Sequence, residues 1–266
     1  GWIHGLDGMP WGKGTYDAEA LDKQDIKLLF GQEALINSIA AANPNTAVVL
    51  MGGSNVEMNN WLGNVPSVLQ AWYTGMEGGN AIANILFGEV NPSGKLPMTF
   101  ANSHMDYPSH KVGEYPGENG RVNYTEGIMV GYRYFDTEEI APIFPFGHGL
   151  SYTSFDYSDL TVDKQGEAAV LTFTVTNTGD AAGAEVAQVY VHDVESSEVR
   201  PLRELKGFEK VYLEAGSSTQ VSVVLPQEAF QFYSEKQSGW VLEPGAFQLQ
   251  VGSSSRDTRL TADLDW

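Results

Sequence analysis

The sequence predicts an α/β unit with a mostly parallel sheet, followed by an all-β sandwich. Helical and strand periods alternate from about Gln32 to Phe100, whereas from about Tyr152 onward only strand-length patterns occur, separated by turn residues. A chain of 266 residues is long enough for two domains that each bury a hydrophobic core. We therefore expect an α/β domain over 1–101, an ordered linking strap over 102–150 and a β-sandwich over 151–266.

The α/β unit is predicted as a helix, two strands and a second helix. Apolar residues recur at helical spacing up to the chain-breaking turn at 43–45. The continuous apolar run over 46–51 then predicts a strand buried on both faces, as in a parallel sheet covered by helices. The runs over 68–73 and 82–86 predict a second strand and a second helix. In such units the strand ends and helix N-termini meet on one rim of the sheet, where open α/β folds build their sites.

The second half is predicted from turn chemistry and alternation. The segment 102–150 has little periodicity, but it is rich in Gly, Pro and aromatic residues, which favours an ordered strap that packs against its neighbours. Beyond it, polar and apolar residues alternate in four runs typical of half-buried antiparallel strands: 169–176, 185–191, 220–225 and 245–251. About seven such strands in about 115 residues predict an immunoglobulin-like or fibronectin-type sandwich.

The composition excludes several classes of protein. The formal net charge of −19 would repel a phosphate backbone, so nucleic acid is not an expected partner. Cys is absent, which excludes disulfide scaffolds and cysteine nucleophiles. No apolar run reaches the roughly 18 to 20 residues that span a bilayer, so no membrane is expected as a partner. The five His show no metal-ligand spacing and no phosphate-binding glycine loop occurs, so the sequence predicts neither a metal nor a cofactor.

The candidate chemistry is an acidic cluster just before the first predicted helix, formed by Asp17, Glu19, Asp22 and Asp25. Carboxylates at this place are explained first as surface charges that the positive end of a helix dipole favours. The alternative is that one carboxyl group is a general acid that gives its proton to a leaving-group oxygen, with a partner carboxylate across the reacting sugar. The residues by themselves leave both interpretations open.

Five segments carry long, specific motifs. Trp-Tyr-Thr-Gly-Met-Glu-Gly-Gly opens the segment 72–97, Tyr-Thr-Glu-Gly-Ile-Met-Val-Gly-Tyr-Arg-Tyr-Phe-Asp spans 124–136, and Phe-Pro-Phe-Gly-His-Gly-Leu-Ser-Tyr-Thr spans 144–153. Together they resemble the C-terminal half of a glycoside hydrolase family 3 enzyme of the β-glucosidase type. The segments 200–208 and 243–253 resemble the fibronectin type III-like domain that ends many members of the family.

This resemblance implies an architecture. In the family, an N-terminal (β/α)8 barrel precedes an α/β sandwich, and the active site lies between these two domains. The chain then corresponds to an α/β three-layer sandwich, partial and with a mostly parallel sheet, followed by an all-β fibronectin type III-like sandwich. The family's barrel supplies the nucleophilic aspartate, and its second domain supplies the acid/base glutamate on a loop just before a helix.

The resemblance also implies a catalytic residue. The run Glu-Ala-Leu-Asp-Lys at 19–23 matches the family's Glu-Gly-x-Asp-Arg loop, so Glu19 carries over as the general acid/base, with Asp17 as the fallback candidate. Ala20, Lys23 and Leu29-Phe30 depart from the family's Gly, Arg and Leu-Pro. We expect one part of an exo-acting retaining β-glycosidase that acts on a β-linked glucoside or oligosaccharide. Its partner would be the missing barrel half, possibly a separate chain, so we expect this chain alone to be inactive.

Two alternatives stay open. One is a β-xylosidase, because the residues that select the sugar lie mostly in the barrel. The other is a non-catalytic module whose terminal sandwich binds polysaccharide or protein, which exposed aromatic residues on the sandwich would favour. The candidates are expected to be core or domain-interface residues: Tyr190, Phe208, Phe230, Phe232, Tyr233 and Trp240.

Overall fold

The computed structural model describes residues 25–115 and 117–266, which form two compact units. The first unit contains 25–73 and 100–130, and the second contains 74–99 and 131–266. These units describe packing, and the domain boundaries at 101 and 150 stay a prediction. No helix within the described ranges is both long enough and apolar enough to cross a membrane.

The first unit contains helices α1 (Gln32–Ala42) and α3 (Pro108–Lys111) and strands β1 (Ala47–Leu50) and β2 (Ser67–Gln70). The two strands are parallel and in register from Ala47 opposite Ser67 to Leu50 opposite Gln70. The predicted end of the first helix is confirmed, because Asn43 donates its N–H to the Ile39 carbonyl oxygen at 2.8 Å and the following proline disfavours a further helical turn.

The prediction that the first strand is buried on both faces is wrong for the described structure. Of its four residues only Leu50 is buried, and Ala47 is exposed. Within the described residues the sheet has two strands, and too little of the chain packs on its faces to bury β1 on both sides. The α1 side chains Leu35 and Ile39 are exposed as well. The buried side chains of this unit lie instead around Trp61 and Phe100, at 0% and 1% exposure.

The second unit contains two helices and nine strands among its described residues. These are α2 (Gly78–Leu86), α4 (Tyr132–Thr137), β3 (Phe155–Gln165), β4 (Ala168–Asn177), β5 (Gly183–Asp193), β6 (Glu204–Leu213), β7 (Ser218–Pro226), β8 (Phe232–Ser234), β9 (Gly239–Val241), β10 (Ala246–Ser254) and β11 (Asp257–Asp265). A sheet in the order β3-β4-β7 and a sheet in the order β11-β10-β5-β6 contribute the buried core, and all neighbouring strands are antiparallel. The alternation that predicted the strands is confirmed by β4, where every second side chain is buried.

Two segments outside the sandwich pack against it. In the first, residues 74–99, Asn91 donates to the Ala182 carbonyl oxygen at 2.9 Å and Lys95 forms an ion pair with Glu185 at 3.0 Å. In the second, residues 131–150, the Tyr132 hydroxyl accepts the N–H of Leu205 at 2.8 Å. The Leu96 N–H donates to the His148 carbonyl oxygen at 2.8 Å, and the Leu96 carbonyl oxygen accepts the N–H of Gly147 at 2.8 Å, which joins the two segments. Both segments therefore belong structurally to the sandwich.

Candidate functional site

The predicted acid/base residue Glu19, its alternative Asp17 and the neighbouring Asp22 lie outside the described residues. Asp25 is the one member of the acidic cluster that the structure describes. Its Oδ1 accepts the N–H of Lys27 at 3.0 Å, a local turn in which the carboxylate satisfies the backbone. For Asp25 the structural interpretation of the cluster therefore has support.

The chain that follows the predicted acid/base loop is fixed beside the end of β1. The Ile26 carbonyl oxygen accepts the N–H of Glu57 at 2.7 Å, and the Glu57 carbonyl oxygen accepts the indole N–H of buried Trp61 at 3.2 Å. The first bond connects the segment before α1 to the segment after β1, and the second lies within the latter segment. Ile26 is thereby tied to the chain that follows the carboxyl end of β1, the side on which α/β folds place their sites.

The start of α1 has an unusual backbone. Phe30 has a φ of 54° and Gly31 a φ of 77°, so both residues lie in the left-handed region just before the helix. Proline cannot adopt such an angle, because its ring holds φ near −65°. The chain has Phe30 where the family usually has proline, and the backbone angle at this position is one that proline cannot adopt. The side chain of Phe30 is 90% exposed.

The carboxyl ends of β1 and β2 form a common edge, which we call the carboxyl edge and define by Met51, Gly53, Trp72 and Tyr73. The Gln70 amide donates to the carbonyl oxygen of Gly52 at 3.3 Å and so joins the two strand ends. A Cβ on Gly53 would lie 2.7 Å from Cε2 of Tyr73, so glycine permits this close contact. Met51 and Tyr73 are 66% and 81% exposed.

Trp72 is the strained residue of the carboxyl edge. Its φ of 56° is in the left-handed region, which costs a bulky side chain on the order of 1–3 kcal/mol. The indole packs edge-on against the buried Phe100, with 6.2 Å between ring centroids. The strain ends β2 earlier than the predicted 68–73 strand and turns Tyr73 toward solvent. Strain of this kind concentrates at functional sites, so it marks the edge as a candidate.

The same unit contains a polar pair formed by Asn55 and Tyr107. Asn55 is 4% exposed, and its side chain hydrogen-bonds the half-buried Tyr107. Burial raises the pKa of Tyr107 to about 12, so this hydroxyl stays protonated and acts as a neutral hydrogen-bonding group.

The four residues that define the carboxyl edge supply shape and apolar surface and carry no carboxyl group themselves. Sequence analysis missed Trp72 as a strained residue, although it opens the motif at 72–97. No group of three or more His, Asp or Glu in the described ranges is arranged to hold a metal ion.

The six aromatic residues of the sandwich divide into two sets. Tyr190, Phe230 and Phe232 are buried, as expected from the sequence. The other three are exposed, at 64% for Phe208, 53% for Tyr233 and 68% for Trp240. These three do not lie in the core of the described structure, and for Tyr233 and Trp240 the alternation along β8 and β9 points the side chains outward. The other half of the expectation, a position at a domain interface, stays a prediction.

Residues 10–152 match the Glycosyl hydrolase family 3 C-terminal domain, and residues 185–255 match the Fibronectin type III-like domain. The chain is 46% identical over 246 residues to Thermostable beta-glucosidase B of Acetivibrio thermocellus, covering 91% of this chain and 32% of that protein. It is 43% identical over 242 residues to an Exo-alpha-(1->6)-L-arabinopyranosidase of Bifidobacterium longum, again covering 91% and 32%. The chain thus spans about one third of the length of these relatives.

Solved structures agree with these matches. The chain is similar to a family 3 β-glucosidase of Bifidobacterium adolescentis, with a TM-score of 0.90 and 42% identity over 93% of this chain and 37% of the other. It is similar to DesR, a β-glucosidase from Streptomyces venezuelae in complex with D-glucose, with a TM-score of 0.90 and 41% identity over 93% and 32%. The predicted fold class, an α/β sandwich part followed by a fibronectin type III-like sandwich, is confirmed.

Proposed function

Because this chain belongs to glycoside hydrolase family 3, we propose that it supplies the general acid/base of an exo-acting retaining β-glycosidase. The proposed substrate carries a terminal non-reducing β-D-glucosyl residue. Glu19 is the proposed acid/base and Asp17 the fallback. The proposed nucleophile is an aspartate in a (β/α)8 barrel that the 266 residues do not include.

One observation carries the proposal. The family match over 10–152 contains Glu19 and the whole carboxyl edge, so the loop that resembles the family's acid/base loop lies inside the matched region. The Ile26–Glu57 hydrogen bond supports it, because it ties the chain seven residues beyond Glu19 to the carboxyl side of the sheet. The names of the relatives support a glycosidase, and the β-glucosidases among them favour glucose.

The chemistry explains why two carboxyl groups are needed. In a retaining glycosidase the ionised nucleophile attacks the anomeric carbon, while the protonated acid gives its proton to the departing oxygen; the two carboxyl groups lie about 5 Å apart. Burial and the nucleophile's negative charge would both raise the pKa of Glu19, which keeps it protonated until the leaving group departs. After departure the Glu19 carboxylate would take a proton from the water that hydrolyses the glycosyl-enzyme intermediate.

The proposal predicts that the chain alone does not turn over substrate, because it contributes one carboxyl group of the pair. The test combines the purified chain with a separately expressed family 3 barrel. We expect hydrolysis of an aryl β-glucoside by the mixture and none by either part. Ordinary turnover by the 266-residue chain alone would contradict the proposal. Faster hydrolysis of an aryl β-xyloside than of the glucoside would favour the β-xylosidase.

The role of Glu19 is tested in the same mixture with Glu19→Gln and the matched variant Asp17→Asn. Glu19→Gln should reduce hydrolysis of an alkyl glucoside by about 10²–10⁴-fold, the usual contribution of general acid catalysis. An activated aryl glucoside should be affected less at the glycosylation step, and added azide should restore its turnover. Asp17→Asn should change both substrates little. The reverse pattern would transfer the role to Asp17.

A further inference from the structure

The hairpin of β8 and β9 presents two large aromatic rings to solvent. Tyr233 and Trp240 are direct cross-strand partners, with ring centroids 5.9 Å apart and planes at 79°. They are 53% and 68% exposed. On the opposite face Phe232 and Ser234 are buried. The solvent face of this hairpin thus holds aromatic residues where polar residues are usual.

Stabilisation of the hairpin does not account for this arrangement. A cross-strand aromatic pair stabilises a hairpin only modestly, and the edge-on contact between these two rings leaves ring faces uncovered. Neither the Tyr233 hydroxyl nor the Trp240 indole N–H forms a hydrogen bond with any other residue that the structure describes. Buried Tyr and Trp usually satisfy these polar atoms. Both rings therefore offer an apolar surface next to free hydrogen-bonding groups.

The hairpin is held firmly from below. The Arg200 guanidinium carbon lies 5.7 Å from the ring centroid of Phe232, on the buried face. Arg200 is itself 5% exposed and is held by Asp193 at 2.8 Å and Glu204 at 2.6 Å. Because these charges are paired and fixed, the two outward rings are presented on a rigid base. A rigid base lowers the conformational entropy lost when a ligand binds.

The turn of the hairpin is fixed as well. The Ser234 hydroxyl accepts the N–H of Gln237 at 3.3 Å, and Lys236 forms an ion pair with Glu198 at 2.9 Å. The Glu243 carboxylate accepts a hydrogen bond from the Ser197 N–H at 2.9 Å and a second one from the Ser197 hydroxyl. The ionised groups that these contacts hold are Lys236, Glu198 and Glu243, in a chain of net charge −19. Such a surface disfavours anionic ligands and suits a neutral ligand with hydroxyl donors.

We propose that Tyr233 and Trp240 form a binding site for a neutral β-linked glucan chain. β-Linked glucose carries its ring hydroxyls and its glycosidic bonds equatorially, so the two faces of the sugar ring expose C–H groups that stack on aromatic rings. Its hydroxyls meet the free Tyr hydroxyl, the indole N–H and nearby carboxylates. The choice of a β-glucan rests on the proposed function, whose substrates carry this sugar.

The test titrates cellohexaose into the 266-residue chain and follows heat and tryptophan fluorescence. Trp240→Ala and Tyr233→Ala should each weaken binding about tenfold or more, the effect of losing one stacked ring. Phe208→Ala is the matched control, since it removes an exposed aromatic ring of the same sandwich and should change affinity less than about twofold. Trp240→Phe should keep binding measurable by heat and lose the fluorescence change.

Several results would overturn the proposal. One is absence of cellohexaose binding to the unsubstituted chain, and another is equal loss of affinity in the Phe208→Ala control. Equal affinity for maltohexaose would remove the β-linked specificity. Self-association that Trp240→Ala abolishes, without sugar binding, would assign the rings to an interface between copies. Since no hydrolysis is measured, Glu19→Gln should bind cellohexaose normally, and failure of the reconstituted enzyme leaves this experiment unaffected.

Discussion

Replacing Lys95 by Met should destabilise the second unit by about 3–5 kcal/mol. Lys95 donates to Glu185 Oε1 at 3.0 Å, and the Tyr157 hydroxyl donates to the same oxygen at 3.0 Å. Glu185 shares its face of β5 with the core residues Ala187 and Val189, so its carboxylate lies at the edge of the sandwich core. Without the ammonium group, this carboxylate loses its ion-pair partner and keeps one neutral donor, while the Arg259 guanidinium interacts with it only through space.

The burial of Lys95 and Glu185 sets the size of the expected loss in the free energy of unfolding. The side chains of Lys95 and Glu185 are 12% and 7% exposed, so water cannot replace the lost partner, and removing one member of such a pair costs about 3–5 kcal/mol. The Lys236–Glu198 pair has nearly the same distance, 2.9 Å, but is 78% and 34% exposed. Lys236→Met should therefore cost less than about 1 kcal/mol. The two ion pairs have nearly the same N–O distance and differ in burial, so a difference between the two variants in the free energy of unfolding reports the effect of burial.

The assay is urea unfolding followed by circular dichroism, with a thermal scan beside it. A loss of 3–5 kcal/mol corresponds to a Tm lowered by about 6–20 °C for a unit of this size. The double variant Lys95→Met with Glu185→Gln removes both charges and keeps an acceptor for Tyr157, so it should be more stable than Lys95→Met alone. A cost below 1 kcal/mol for Lys95→Met, or additive effects in the double variant, would refute the reasoning.

Two further predictions concern pH and backbone. Burial lowers the pKa of His148 below 6.5, so the unfolded chain binds the proton more readily and the free energy of unfolding falls as pH drops below about 6.5. His148→Phe, which keeps the stack on Phe144, should reduce this pH dependence in unfolding midpoints measured from pH 7 to 5. An unchanged dependence would contradict the prediction. Gly252→Ala places a Cβ against the Asp257 carbonyl oxygen and should lower the free energy of unfolding in urea by about 1–3 kcal/mol or more. In the control Gly245→Ala the new Cβ meets no atom within 4 Å, so the change should stay within about 1 kcal/mol. Equal effects would contradict the prediction and show that the strand backbone shifts to make room.

Much of the fold was predictable because its signals are local. The end of α1 at Asn43 follows from a proline one residue later, and the alternation of β4 follows from the two-residue period of a strand. The acid/base assignment to Glu19 came from a motif and stays a prediction, since that residue lies outside the described ranges. The β-loop-α pattern predicted that a site would lie at the carboxyl ends of the strands, but it did not predict the backbone strain at Trp72 or the exposure of Tyr73.

Those details depend on neighbours that are distant in sequence. Trp72 continues an apolar run, so its sequence predicts a strand, yet its contact with Phe100 accompanies a left-handed backbone that ends β2. Tyr233 and Trp240 have the composition of core residues, and only the pairing of β8 with β9 places both rings on the solvent face. In neither case did the sequence determine which side chains of the strand are buried by other parts of the chain.

The sequence by itself determined the two-part architecture and the family, because periodicity, turn residues and motifs are properties of short stretches. Only the tertiary structure decided which side chains are buried. Lys95 and Lys236 are the same residue type with the same kind of partner, but one lies against a sandwich core and the other on an exposed turn. Burial controls the dielectric around a charge and the solvation of a ring, and it is set by contacts between elements far apart in the chain.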